Sequence, residues 1–149
     1  MTPSNPTTPV LCTAALLSGS IDESGGAGAG SIYLKLVVKN KSAKPCTING
    51  YPGVSLVGNN NGTQLGAAAD RDPADPSQGA VLLAPGASAA AQLQYTHAEN
   101  YGASCGLSSA DGFRVYPPSA TDALYIAHPL KACTQKDVVL LHIGTFKKA

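Results

Sequence analysis

Four cysteines, Cys12, Cys46, Cys105 and Cys133, carry the most definite chemistry in this chain. None forms a Cys-x-x-Cys pair, which excludes thioredoxin-like redox spacing and zinc-ribbon spacing. An even number of widely separated cysteines in a small, loop-rich chain is most simply a pair of disulfides made in an oxidising compartment. Three connectivities are possible for four cysteines. Cys12–Cys46 with Cys105–Cys133 is favoured, because each pair brackets neighbouring strands in one half of the chain. Each bridge would then close a loop of roughly thirty residues, contributing about 3–4 kcal/mol through chain entropy.

Gly102-Ala103-Ser104-Cys105-Gly106 satisfies the Gly-x-Ser-x-Gly pattern of a hydrolase nucleophile elbow. Asp111 or Asp122, followed by His128 or His142, would complete a triad in chain order. An elbow needs a strand before the serine and a helix after it, and no helical pattern follows Ser104. The expected role is a tight turn beside a disulfide. Asp70, Asp72 and Asp75 crowd one loop, as hard cations prefer, but the spacing lacks the glycine and closing glutamate of an EF-hand, and Arg71 offsets the charge. His97, His128 and His142 show no helical ligand spacing, and the only Met is the first residue, so a blue-copper set is not expected. Tyr51, Tyr101, Tyr116 and Tyr125 fall at loops or strand ends. Tyrosine gives contact area at small entropic cost, which makes these four the candidate binding residues.

The elements that must position these side chains are strands. From Ser31 to Asn40 apolar and polar residues alternate, with Ile32, Leu34, Leu36 and Val38 facing a core. Asn40 to Pro45 reads as a solvated turn, and Asn59-Asn60-Asn61-Gly62 as a hairpin between Val54–Val57 and Thr63–Ala69. Asp70–Gly79 is a loop with two prolines. Further strands are expected at Leu11–Leu17, Val81–Ala84, Ala87–Tyr95, Phe113–Tyr116, Leu124–Ala127 and Val138–Ile143, with Ala89, Ala91, Leu93 and Tyr95 on one face. The expected fold is all-β, an antiparallel immunoglobulin-like β-sandwich of seven to nine short strands. Residues 1–9 read as an extended Pro/Thr linker and 10–149 as one domain.

Several of these segments also carry a family resemblance. They are Leu34-Lys35-Leu36-Val37-Val38-Lys39-Asn40, Pro45-Cys46-Thr47-Ile48-Asn49-Gly50-Tyr51-Pro52-Gly53-Val54, and Val81-Leu82-Leu83-Ala84-Pro85-Gly86-Ala87-Ser88-Ala89. With the four cysteines they span about Val10 to Ile143, and the chain resembles the actinobacterial domain-of-unknown-function family numbered 4232, found in exported proteins and lipoproteins of the cell envelope. The Pro-Cys-x-x-x-Gly-Tyr-Pro-Gly-Val block is the most specific part. The resemblance implies an exported β-sandwich with its cysteines paired, and it implies no activity. The start, Met-Thr-Pro-Ser-Asn-Pro-Thr-Thr-Pro, has neither a basic nor an apolar leader region, and the expectation is a linker lying just after a removed leader or lipid anchor.

Composition narrows the partners. Ten Lys+Arg against nine Asp+Glu leave a net charge of +1, which supports neither a nucleic-acid stripe nor an acidic field. Apolar runs are too short for a membrane-spanning helix. The expected protein is a monomeric, non-enzymatic binding or scaffolding module, secreted or held on the outer face of the cytoplasmic membrane. No catalytic residue, metal or cofactor is assigned to it, and its partner is expected to be an envelope protein or a glycan. The alternatives are a secreted serine hydrolase using Ser104, and a small-ligand or metal carrier using the Asp70–Asp75 loop or a tyrosine-lined cleft.

Overall fold

The computed structural model describes residues 9–28 and 30–149, so most of the expected 1–9 linker lies outside the described residues. Strands in chain order are β1 (Val10–Leu11), β2 (Leu17–Asp22), β3 (Ala27–Gly28), β4 (Ser31–Asn40), β5 (Cys46–Ile48), β6 (Gly53–Gly58) and β7 (Thr63–Gln64). There follow β8 (Asp70–Arg71), β9 (Val81–Leu83), β10 (Ser88–Thr96), β11 (Leu107–Tyr116), β12 (Leu124–Cys133), β13 (Leu141–Ile143) and β14 (Lys147–Lys148). Among the described residues the only helical elements are short 3-10 segments, so the all-β expectation holds.

The strands form three sheets, mostly antiparallel. The largest runs β2-β4-β10-β13-β8, with β3 added on β4 and β14 on β10. A second runs β12-β11-β6-β7, and a small third runs β1-β5-β9. One apolar cluster serves all three. Leu34, Leu36, Val38 and Leu93 come from the seven-stranded sheet, Val54, Leu56, Phe113 and Val115 from the four-stranded one, and Cys46, Ile48 and Leu83 from the third. Each of the fully buried leucines contributes about 1.5–3 kcal/mol over an exposed position. Alternation in β4 and in β10 puts the expected residues inward, with Ala89, Ala91, Leu93 and Tyr95 all buried; Ile32 is only half-buried.

Both expected disulfides are present, Cys12–Cys46 and Cys105–Cys133. The first ties the segment after β1 to the three-stranded sheet. The second joins the turn just before β11 to the end of β12, where Leu107 already pairs with Cys133.

Element boundaries depart from the sequence expectation in instructive ways. The apolar run Leu11–Leu17 is no single strand: Ala14–Leu16 is a 3-10 turn, and a new strand begins at Leu17. Its first amides, from Ala14 and Ala15, are met by the Asp122 carboxylate at 2.9 and 3.1 Å, a cap from far along the chain. β11 and β12 are each ten residues long, more than twice the expected Phe113–Tyr116 and Leu124–Ala127. Polar Ser108 and Ser109 give the start of β11 little apolar contrast, and β12 continues through Pro129, a residue that central strands exclude. Pro129 is tolerated because β12 is the outer strand of its sheet, where a missing N–H costs no ladder bond. Between Thr63 and Ala69 only β7 is regular, although the Leu65 and Ala69 amides still donate to Leu56 and Val54. Val138–Ile143 shrinks to β13, and within the expected Asp70–Gly79 loop, β8 pairs in parallel with β13.

The Asn40–Pro45 turn is not simply solvated. Asn40 is wholly buried: its amide donates to the Lys44 and Leu83 carbonyls at 2.8 and 2.9 Å and accepts from Ser42. A buried amide with its partners in place locks the end of β4 onto β9.

Candidate functional site

Two of the four candidate tyrosines meet on one surface. In β11 the alternation Phe113-Arg114-Val115-Tyr116 turns Phe113 and Val115 into the core, leaving Arg114 and Tyr116 on the outer face. Register pairs Arg114 directly with Tyr125 of β12 on one side and with Ser55 of β6 on the other. The guanidinium carbon lies 5.6 Å from the centre of the Tyr116 ring, within cation–π range. Arg114 Nη2 donates to Gln64 Oε1 at 2.7 Å, and Nη1 points at the Gly62 carbonyl at 3.5 Å. Its Nε is buried and has no hydrogen-bond partner. Among the described residues no carboxylate forms an ion pair with Arg114. Tyr125 is 57% exposed and Tyr116 38%.

A hollow of about 390 Å³ continues this face, lined by Asn60, Asn61, Gly62, Asp111 and Tyr125. Its rim is built by the hairpin after β6, where Asn59, Asn60 and Gly62 all adopt positive φ, the conformation that Asn and Gly accept most readily. Asp111 sits at a bulge between Ala110 and Gly112. Its carboxylate accepts the Asn60 amide at 2.8 Å, and its carbonyl accepts the Tyr125 hydroxyl at 3.2 Å. The bulge thus aims one residue at both the hairpin and the tyrosine.

Tyr51 and Tyr101 lie elsewhere. Tyr51 is half-buried, donates to the Asp72 carbonyl at 2.6 Å, and carries Arg71 5.3 Å from its ring centre. Tyr101 ends a 3-10 turn (Ala98–Tyr101) and lines a hollow of about 460 Å³ with Ser104, Cys105, Gln135, Asp137 and Val138. Ser104 is exposed on the short turn Ala103–Cys105, and no histidine lines its hollow. The residues that chain order offers to Ser104 are engaged at other places. Asp122 is held by the Ala14 amide first and the Ala15 amide after it, which keeps its carboxyl below the usual carboxylate range. His128 Nε2 is 3.1 Å from Glu23, with its ring tilted against Phe113. His142 lies on the outer face of the seven-stranded sheet, and His97 packs edge-on against Tyr95.

The three aspartates of the Asp70–Asp75 loop also part company. Asp70 is in β8, Asp72 Oδ1 accepts the Ala74 amide at 2.9 Å, and Asp75 forms an ion pair with Lys147. Among the described residues no group of three potential ligands is placed to hold a metal ion. Asp75 rests over Gly144, where any side chain would collide with its carboxylate. The loop is thereby laid back across the seven-stranded sheet.

Sequence reasoning passed over Arg114, although its alternation with Phe113 and Val115 was visible. What could not be seen was the register that sets it opposite Tyr125. A family model described as domain of unknown function (DUF4232) matches residues 12–147. No curated protein and no solved structure matches the chain.

Proposed function

This chain belongs to the DUF4232 family, and we propose that it is a non-enzymatic binding module of the actinobacterial cell envelope, displayed outside the cytoplasmic membrane, either lipid-anchored or freely secreted. Two disulfides support an oxidising location. No helix among the described residues is long and apolar enough to cross a membrane. We read the facing seven- and four-stranded sheets as one immunoglobulin-like sandwich, whose outer surfaces are the functional ones.

The observation that carries the proposal is the Arg114 guanidinium, which lies beside the Tyr116 ring and reaches toward Gln64, on the face that also carries exposed Tyr125; among the described residues no carboxylate pairs with it. Arg and Tyr are the side chains that dominate protein interfaces, and a cation without a counter-ion favours a partner that brings one. The partner is accordingly a protein segment presenting Asp or Glu. Such a contact is charge-assisted, so truncating Arg114 should weaken binding by about 10–100-fold.

Photo-crosslinking in intact cells tests this directly. A photoreactive phenylalanine at position 125 should give a discrete protein adduct that Arg114→Ala removes, while the same probe at Leu82, exposed on the small sheet, should give none. Equal adducts at both positions, or none at 125, would refute it. An ester hydrolase activity that disappears in Ser104→Ala would overturn the non-enzymatic assignment.

A further inference from the structure

The outer face of the seven-stranded sheet carries a second, chemically different site. Register sets Tyr33 of β4 beside Gln94 of β10, and Gln94 beside His142 of β13, so three outward side chains form a row across three adjacent strands. At a strand spacing of about 4.8 Å that row spans roughly 10 Å. Gln92 lies two residues along β10 on the same face, opposite Lys35. These residues floor a cleft of about 290 Å³ whose wall is the folded-back loop, through Asp72 and Asp75. Beyond Asp75 and Gln92 the cleft runs into a hollow of about 400 Å³ that also takes in Lys35, Thr145 and Lys147.

We propose that this cleft binds a neutral oligosaccharide. Two glutamine amides lie on this floor: Gln94 Nε2 donates to Ser31 Oγ at 3.3 Å, which orients that amide, and between them the two side chains offer carbonyl acceptors and remaining N–H donors that suit the neighbouring hydroxyls of a sugar ring. Tyr33 supplies a flat apolar surface at one end for a ring face, and Asp72 supplies an acceptor on the wall. His142, which also lines the cleft, has its Nδ1 buried without a partner, a polar atom that the chain itself leaves unanswered. Other classes fit less well. Asp72 disfavours an anion, the pairing of Asp75 with Lys147 leaves little net charge to draw a cation, and the floor has no apolar strip for a peptide side chain. The site shares no residue with the Arg114 face, and it stands or falls without it.

The test is a titration of the isotope-labelled full chain with maltohexaose, mannohexaose and chitotetraose, read by NMR. At least one of them should shift the side-chain amides of Gln92 and Gln94 and the His142 ring, in a saturable manner. Tyr33→Ala and Gln94→Leu should each raise the apparent Kd more than tenfold, whereas Tyr33→Phe, which keeps the ring, should stay within about threefold; a dispersed spectrum confirms that each variant is folded. Gln94→Glu replaces Gln94→Leu should the latter unfold. Shifts centred on Tyr116 and Tyr125, unchanged affinity in the cleft variants, or no shift with any of the three sugars would overturn the proposal.

Discussion

The outer faces of the two larger sheets are built from the same strand alternation and end up as opposite kinds of surface. On the four-stranded sheet Ser55 and Val57 of β6 are buried on the face that the Arg114 side chain crosses, while Tyr116 and Tyr125 stand exposed beside it as an aromatic patch with one cation. On the seven-stranded sheet the loop after β8 folds back and is tethered by Asp75 to Lys147, which turns a comparable face into a polar cleft. A flat patch suits another protein, and a walled cleft suits a small hydroxylated ligand. The two faces also differ in what holds them. Backbone packing at the Gly112 bulge shapes the first, and a flexible side chain over Gly144 shapes the second.

Glycine substitution separates these cases most sharply. A Cβ at Gly112 would press into the Ile126 carbonyl and the His128 amide, atoms of a neighbouring backbone that cannot move alone. Gly112→Ala should therefore cost about 3 kcal/mol, measured by urea unfolding, and disperse the Tyr116 and Tyr125 signals. Removing the covalent staple of the same sheet, with Cys105 and Cys133 both changed to Ala, should cost a similar amount. Its closed loop, with the cysteines 28 positions apart, corresponds to about 3.5 kcal/mol.

Gly144→Ala should be milder, about 1 kcal/mol, because the clashing atoms are the far end of Asp75, which can swing away. The loop should then lift, with loss of the Asp75–Lys147 contact and of the cleft, while crosslinking from position 125 is unchanged. If both faces respond to either glycine, they are one coupled unit and the contrast between them fails.

The smallest effect concerns the Asp122 cap. Its carboxyl is held below the ordinary value, so the stabilisation is complete above about pH 4, the unfolded value, and is lost as pH falls through the lower folded one. Asp122→Ala should lower Tm by a few degrees at pH 7 and by less at pH 2, a difference readable by calorimetry. An equal loss at both pH values would show that the side chain acts by packing and not by charge.

Local pattern made some of this legible and tertiary pairing supplied the rest. Alternation from Ser31 to Asn40 and from Ala87 to Tyr95 is a property of neighbouring residues, and both strands are found with their expected faces inward. Asn59 to Gly62 announces its hairpin through residues that accept positive φ. Leu17–Asp22 gave no such signal, since Ser18, Gly19 and Ser20 bring little apolar contrast, and it becomes a strand through pairing with β4. Tyr51 and Tyr101 looked equivalent to Tyr116 and Tyr125, yet only the latter two share a face with Arg114.

By itself the order of amino acids determined the all-β class and the inward faces of the long strands, because those follow from two-residue periodicity; it favoured one of three cysteine pairings, and the folded chain selected it. Which polar side chains become neighbours was decided only by the folded chain. Arg114 meets Tyr125, and Tyr33 lines up with Gln94 and His142, through strand register, and register is set by bulges, turns and burial distributed over the whole molecule.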